Sequence, residues 1–129
     1  MFKNPRHFLK CEICGNIVGV IEASGPKLVC CGREMKELTA NTVDAAKEKH
    51  VPVAEKEGNV LTVDVGSVPH PMLEEHHISW ITVAQGKHTQ RAVLDHTGDP
   101  KAVFLVEDGE ITLYEYCNIH GLWASEFEG

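Results

Sequence analysis

The chain has 129 residues, of which 43% are apolar, and a formal net charge of −7 at pH 7. This length fits one ordinary globular domain, or one domain with a very small module. The acidic balance argues against a nucleic-acid partner, and no apolar run reaches the roughly 18 residues that span a membrane. The N-terminal stretch lacks the apolar core and cleavage site of a signal peptide, so the predicted compartment is the cytoplasm.

The first patterned segment runs from Phe8 to about Leu38 and combines cysteines with short apolar runs and turn residues. A segment of this size needs a metal or a disulfide to be stable. Five cysteines in all, an odd number without a secretion signal, match a disulfide framework poorly. We therefore predict a small metal-binding domain over residues 1–38.

Four of the cysteines form a C-x-x-C pair and an adjacent pair: Cys11, Cys14, Cys30 and Cys31. Four thiolates from two turns make a tetrahedral sulfur site, which suits zinc or iron. Because adjacent residues do not both point inward from an ordinary turn, the second pair should strain the tetrahedron. The spacing leaves open a structural zinc knuckle and a vicinal disulfide.

Residues 39–129 make up the second predicted domain, which consists mainly of short β-strands. One helical turn in NTVDAAKEKH, capped by Asn41 or Thr42, precedes them. The β-like runs are NVLTVDVG, HHISWITVAQ, HTQRAVL, KAVFLVE, EITLYEYC and LWASEF. Turns rich in glycine, aspartate and proline separate these runs, and the pattern predicts an antiparallel β-sandwich.

Cys117 ends the run EITLYEYC, and His120 follows it across a tight turn. A thiolate and an imidazole at this spacing can share one metal ion. In isolation, a buried structural cysteine beside a surface histidine would be the better explanation. Histidines are abundant upstream, however: His50, His70, His76 and His77. Their number favours a metal centre.

A blue-copper centre is one alternative, since it uses a cysteine, two histidines and usually a weak axial methionine. Cupredoxin-type chains place that methionine shortly after the Cys–His turn. Here the three methionines, Met1, Met35 and Met72, all precede Cys117. The order of these residues disfavours a cupredoxin-like electron carrier.

Five stretches of the sequence, CEICGNIV, VCC, NTVDAAKEKHVPV, HPMLEEHHISWI and YCNIHGLW, together resemble the two-iron superoxide reductases, or desulfoferrodoxins. The resemblance covers both halves of the chain in order. It implies a mainly β protein with a desulforedoxin-like (rubredoxin-like) knuckle domain followed by an immunoglobulin-like antiparallel β-sandwich. The implied reaction is the one-electron reduction of superoxide to hydrogen peroxide, without dismutation.

The resemblance also implies two mononuclear iron sites. The first takes the four cysteines, and the second takes four histidines and one cysteine: His50, His70, His76, His120 and Cys117. The family has its ligand at the first of the two adjacent histidines and commonly an aromatic residue at the second, so His77 is a departure. Neighbours on a strand point to opposite faces, so only one of the pair can face the metal.

Two further residues match positions beside the open face of the second iron. Lys49 is expected to attract superoxide despite the acidic surface, and Glu48 to coordinate the oxidised ion. The resemblance implies a rubredoxin-like electron donor and a homodimer. A non-enzymatic binding protein with a zinc ribbon and a β-sandwich remains the third alternative, although it leaves the Cys117–His120 turn unexplained.

Overall fold

The computed structural model describes residues 2–42, 50–65 and 72–129. The chain divides into two compact units, Arg6–Thr39 and a larger one of Met1–Pro5 with Ala40–Gly129. In the described ranges every regular element is a β-strand, so the predicted mainly β class is confirmed. No helix in these ranges is long and apolar enough to cross a membrane. The boundary between residues 38 and 39 stays a prediction, and most of the predicted helical turn lies outside these ranges.

The small unit contains five short strands. They are β1 His7–Lys10, β2 Ile17–Val20, β3 Val29–Cys30, β4 Arg33–Glu34 and β5 Lys36–Glu37. Strands β2, β1 and β5 form one antiparallel sheet in that order, and β3 pairs with β4 in a hairpin. Only Phe8 and Cys11 are buried apolar residues within Arg6–Thr39, all of which is described. This unit therefore has almost no hydrophobic core of its own.

The large unit is a sandwich of two antiparallel sheets. Its strands are β6 Pro52–Glu57, β7 Val60–Val65, β8 Ile78–Gln85, β9 His88–Val93, β10 Lys101–Leu105, β11 Glu110–Cys117 and β12 Gly121–Glu128. One sheet has the order β10-β7-β6 and the other β12-β11-β8-β9. The predicted desulforedoxin-like unit and immunoglobulin-like sandwich are thus confirmed as the fold class.

The core of the sandwich lies between its two sheets. Strand β7 alternates in burial, so that Leu61, Val63 and Val65 point inward. Inward residues of the other strands meet them: Ile78, Ile81, Val83, Ala102, Phe104, Val106, Ile111, Leu113 and Cys117. The thiol of Cys117 is therefore held within this packed core.

The first residues of the chain cover the outer face of β11. The Asn4 amide donates to Thr112 Oγ1 (3.0 Å), and Asn4 Oδ1 accepts from the amide of Gly86 (2.8 Å). The ring of Phe2 packs edge-on against Tyr114 at 5.8 Å. Strand β11 is consequently buried on both faces, which makes its end at Cys117 a rigid place for a metal ligand.

Candidate metal centres

The four cysteines of the small unit come together in one cluster. Their sulfur atoms lie within 4.8 Å of one another, with 3.6 Å between Cys14 and Cys30 and 4.0 Å between Cys30 and Cys31. All are free thiols, and a disulfide would need an S–S distance of about 2.05 Å. The alternative of a vicinal disulfide is therefore wrong.

The backbone at Cys31 explains how two adjacent cysteines reach one cluster. Cys31 has a φ of +54° and Gly32 a φ of +74°. A left-handed conformation is costly for a residue with a Cβ, and it turns the Cys31 side chain to the same side as that of Cys30. The strain expected from the missing spacer is thus located in the backbone of Cys31.

The cluster has the electrostatics of a cation site. The backbone N–H groups of Cys14 and Ile13 point at the Cys11 sulfur and lower the pKa of that thiol to about 6. Neighbouring thiols, Cys14 first, raise the pKa of Cys31 to about 12. Four thiolates therefore need a metal ion between them, and lowering the pH weakens the site because protons compete for the sulfur atoms. A tetrahedral sulfur set suits iron or zinc.

The second cluster forms where β11 turns into β12. The pairing of β11 with β8 shifts register between Tyr116 and Cys117, and Gly121, at φ +85°, closes the turn. This irregularity directs the Cys117 sulfur to 3.7 Å from Nδ1 of His120. The C-x-x-H spacing therefore produces two donors that face each other.

His50, two residues before the start of β6, also belongs to this cluster. Its side chain is 1% exposed, its Nε2 lies 3.2 Å from Nδ1 of His120, and its ring stacks on Trp123 at 4.8 Å. Trp123 Nε1 also donates to the His120 carbonyl (3.2 Å). The Pro52 carbonyl, at the start of β6, accepts from Ser125 Oγ. These contacts fix two imidazoles at one point.

His76 completes the described part of the cluster. Its ring lies 5.1 Å from that of His120, and its donor atom falls within 4.8 Å of those of His50, Cys117 and His120. His77 faces elsewhere: its Nδ1 lies 2.8 Å from the Leu73 carbonyl. The adjacent histidines thus point in different directions, and the structure brings only the first to the cluster.

The donor atoms of this cluster fit a transition metal. Two nitrogen ligands at right angles around an ion with bonds of about 2.1 Å would be about 3 Å apart, close to the separation of His50 and His120. Imidazole nitrogens and a thiolate suit iron, copper and zinc. The other three predicted site residues, Glu48, Lys49 and His70, lie outside the described residues.

Comparison with known proteins identifies the family. Residues 42–126 match the family model described as desulfoferrodoxin, and residues 4–38 match the model of the desulfoferrodoxin N-terminal domain. The chain belongs to the desulfoferrodoxin family. Desulfoferrodoxin from Syntrophotalea carbinolica is 51% identical over 91% of this chain and 93% of its own length. Desulfoferrodoxin from Nitratidesulfovibrio vulgaris is 46% identical over 95% of this chain and 98% of its own length.

Solved structures agree with this family. The superoxide reductase from Treponema pallidum matches this chain with a TM-score of 0.80 and 29% identity, over 95% of this chain and 98% of its own length. A superoxide reductase (neelaredoxin) from Archaeoglobus fulgidus in the reduced form matches with a TM-score of 0.53 and 39% identity, over 68% of this chain and 95% of its own length. The prediction of two iron centres is confirmed by the two donor sets together with both family domains.

Two residues that contact the ligand-bearing segments of the second centre were not singled out in the sequence. Trp123 contacts both His50 and His120, and Asn118 ties the turn after Cys117 to the segment around His76. A tryptophan three residues after the histidine of a Cys–His turn can indicate a contact with that turn, because a buried indole N–H needs an acceptor. Nothing in the spacing of Asn118 indicates its partners.

Proposed function

We propose that this protein is a superoxide reductase. The observation that supports this most directly is the convergence of His50, His76, His120 and Cys117 on one point at the end of β11. Iron held by these residues would supply one-electron chemistry, since one electron from its ferrous state and two protons convert superoxide to hydrogen peroxide. A relative from Thermococcus kodakarensis named superoxide reductase, 37% identical over 71% of this chain, supports the same activity.

Each group in the cluster has a chemical task. Cys117, as a thiolate, would hold the iron and donate electron density to it, as a cysteine ligand does in haem enzymes. His50, His76 and His120, as neutral imidazoles, suit ferrous iron, and Trp123 stacks on the ring of His50 and donates to the backbone carbonyl of His120. We place His70 as the fourth imidazole on the resemblance alone. Five protein ligands would leave a position on the iron open to the substrate.

Lys49 and Glu48 are proposed to act on the substrate side of this iron. A cation about 4 Å from an anion gains about 4 kcal/mol at an effective dielectric of 20, before desolvation. A lysine beside the metal could therefore attract superoxide despite the net charge of −7. Glu48 is proposed to coordinate the ferric ion after turnover.

Replacement of Lys49 by alanine should slow the second-order reaction with superoxide by about 10-fold and flatten its salt dependence, because the local attraction is lost. Pulse radiolysis of the reduced protein measures both. Lys87→Ala, in the exposed turn between β8 and β9, makes the same change in net charge and should leave the rate unchanged. Equal rates for Lys49→Ala and Lys87→Ala would refute the role of Lys49 in attracting superoxide.

Replacement of Glu48 by alanine should leave the rate of the reaction with superoxide nearly intact and alter the ferric absorption band.

The four-cysteine iron is proposed to stabilise the small unit and to relay electrons from a rubredoxin-like donor. A homodimer through the small unit is supported by its exposed apolar side chains, of which Ile21 is 97% and Val29 64% exposed. Five free thiols fit a reducing compartment, which supports the cytoplasm. We also propose 1–38 and 39–129 as the functional domains, in accord with the two family matches.

The stoichiometry of peroxide production tests the proposed activity. The anaerobically reduced protein, loaded with iron and mixed with limiting superoxide, should form one hydrogen peroxide per superoxide and oxidise one ferrous ion. Dismutation would form one peroxide per two superoxide ions with no net oxidation of iron. A protein that binds copper and does not consume superoxide would support the cupredoxin-like electron carrier. Against that alternative, the Met72 sulfur accepts a hydrogen bond from the Ile78 amide (3.4 Å). A protein that binds zinc alone would support the non-enzymatic binding protein.

A further inference from the structure

The segment that supplies His76 has no regular secondary structure, although its imidazole belongs to a metal centre. Residues 72–77 lie between the undescribed segment and β8. Their internal backbone bonds join Leu73 and His76 in both directions, at 2.9 and 3.2 Å. Among the described residues no strand ladder includes His76, so contacts with other parts of the chain add to this local pair in setting its position.

Asn118 supplies these contacts. Its Oδ1 accepts from the amide of His77 (2.8 Å), and its Nδ2 donates to the carbonyl of Glu75 (3.1 Å). The Asn118 amide also donates to the His77 carbonyl (3.2 Å). One carboxamide therefore bridges the two peptide groups that flank His76, and it orients the backbone from which that imidazole projects.

Asn118 also directly follows Cys117, so the same residue connects two ligand-bearing segments. We propose that Asn118 is a positioning residue that holds His76 in register with Cys117 and His120. This inference rests on the proposed function and goes beyond it by assigning a residue that sets the geometry of the second metal centre. An asparagine is needed because the bridge requires one donor and one acceptor on the same planar group.

The rate of iron release is the test. Groups that orient metal ligands typically change metal affinity by about 10- to 100-fold when removed, so Asn118→Ala should release ferrous iron to a strong chelator faster by that factor. Asn118→Asp keeps the acceptor and loses the donor, and it should fall between Asn118→Ala and the parent protein. Ile119→Ala, in the same exposed turn, removes an apolar side chain and should release iron at the parent rate. Amide exchange in β8 and β11 reports that each variant is folded.

A double-mutant cycle with His76→Ala shows whether Asn118 acts through His76. If it does, Asn118→Ala should change iron release in the His76→Ala background by no more than about 2-fold, the scatter of independent effects. An unchanged release rate for Asn118→Ala, or an equal acceleration in both backgrounds, would overturn the inference alone. A parent protein that takes up iron only at the four cysteines would overturn it together with the proposed function.

Discussion

Replacement of Cys117 by serine is expected to abolish the thiolate-to-iron absorption band of the sandwich unit and to lower superoxide reduction by at least about 100-fold. The sulfur is fully buried in the core and faces the imidazole of His120. A serine hydroxyl is not ionised near neutral pH and cannot provide the charge of a thiolate ligand. Since groups that merely orient ligands cost about 10- to 100-fold, loss of a ligand should cost at least as much. Visible absorption and iron content, measured with the rate, check this prediction.

Two variants separate loss of the ligand from loss of packing. Cys117→Ala should behave like Cys117→Ser, because both remove the sulfur while only serine adds a polar group to the core. Cys14→Ser removes an exposed thiol from the other unit and should leave the sandwich band intact. If the band and the iron of the sandwich unit survived in Cys117→Ser, Cys117 would not be a ligand.

Hydrophobic alternation made most of the sandwich predictable. Strands β7 and β10 show a clear two-residue period, and the predicted run KAVFLVE contains all of β10. Strand β6 was not predicted, because its inward positions are Pro52, Ala54 and Lys56, which do not stand out by hydropathy. It is an edge strand that begins with proline, and Lys56 is partnered by Asp108. Residues 52–57 form a strand because they pair with β7, and the hydropathy pattern of the segment does not indicate this pairing.

The second metal centre was less accessible to pattern reasoning than the fold. Spacing relates only Cys117 to His120, whereas His50 and His76 come from segments before β6 and β8. Their convergence depends on how the sheets pack, so it came from the family resemblance. The choice between His76 and His77 assumed that both lie on a strand, where neighbouring side chains point to opposite faces. Both residues precede β8, and local contacts such as that of His77 with the Leu73 carbonyl set their orientations. The roles of Asn118 and Trp123 depend on contacts that a sequence does not contain.

The four-cysteine cluster provides the second large prediction: Cys11→Ser should unfold the small unit. Cys11 is the buried member of the cluster, and its sulfur accepts from the Cys14 amide. With Phe8 as the other buried apolar residue of Arg6–Thr39, packing alone is too weak to fold this unit. Structural zinc contributes roughly 10–16 kcal/mol to folding in zinc-finger peptides, and the metal of this unit should likewise supply most of its folding free energy. Amide hydrogen exchange should therefore become fast in β1 and β2 and stay slow in β8 and β11.

Iron depletion and one packing variant make this prediction specific to the metal. Chelation of iron from the parent protein should reproduce the exchange pattern of Cys11→Ser, whereas Phe8→Leu keeps all four thiols and should retain the metal and slow exchange. The sandwich unit has its own core, so Cys11→Ser should still consume superoxide when it is reduced chemically. Slow exchange of β1 and β2 in Cys11→Ser, measured on protein without metal in the small unit, would mean that contacts other than the metal fold this unit.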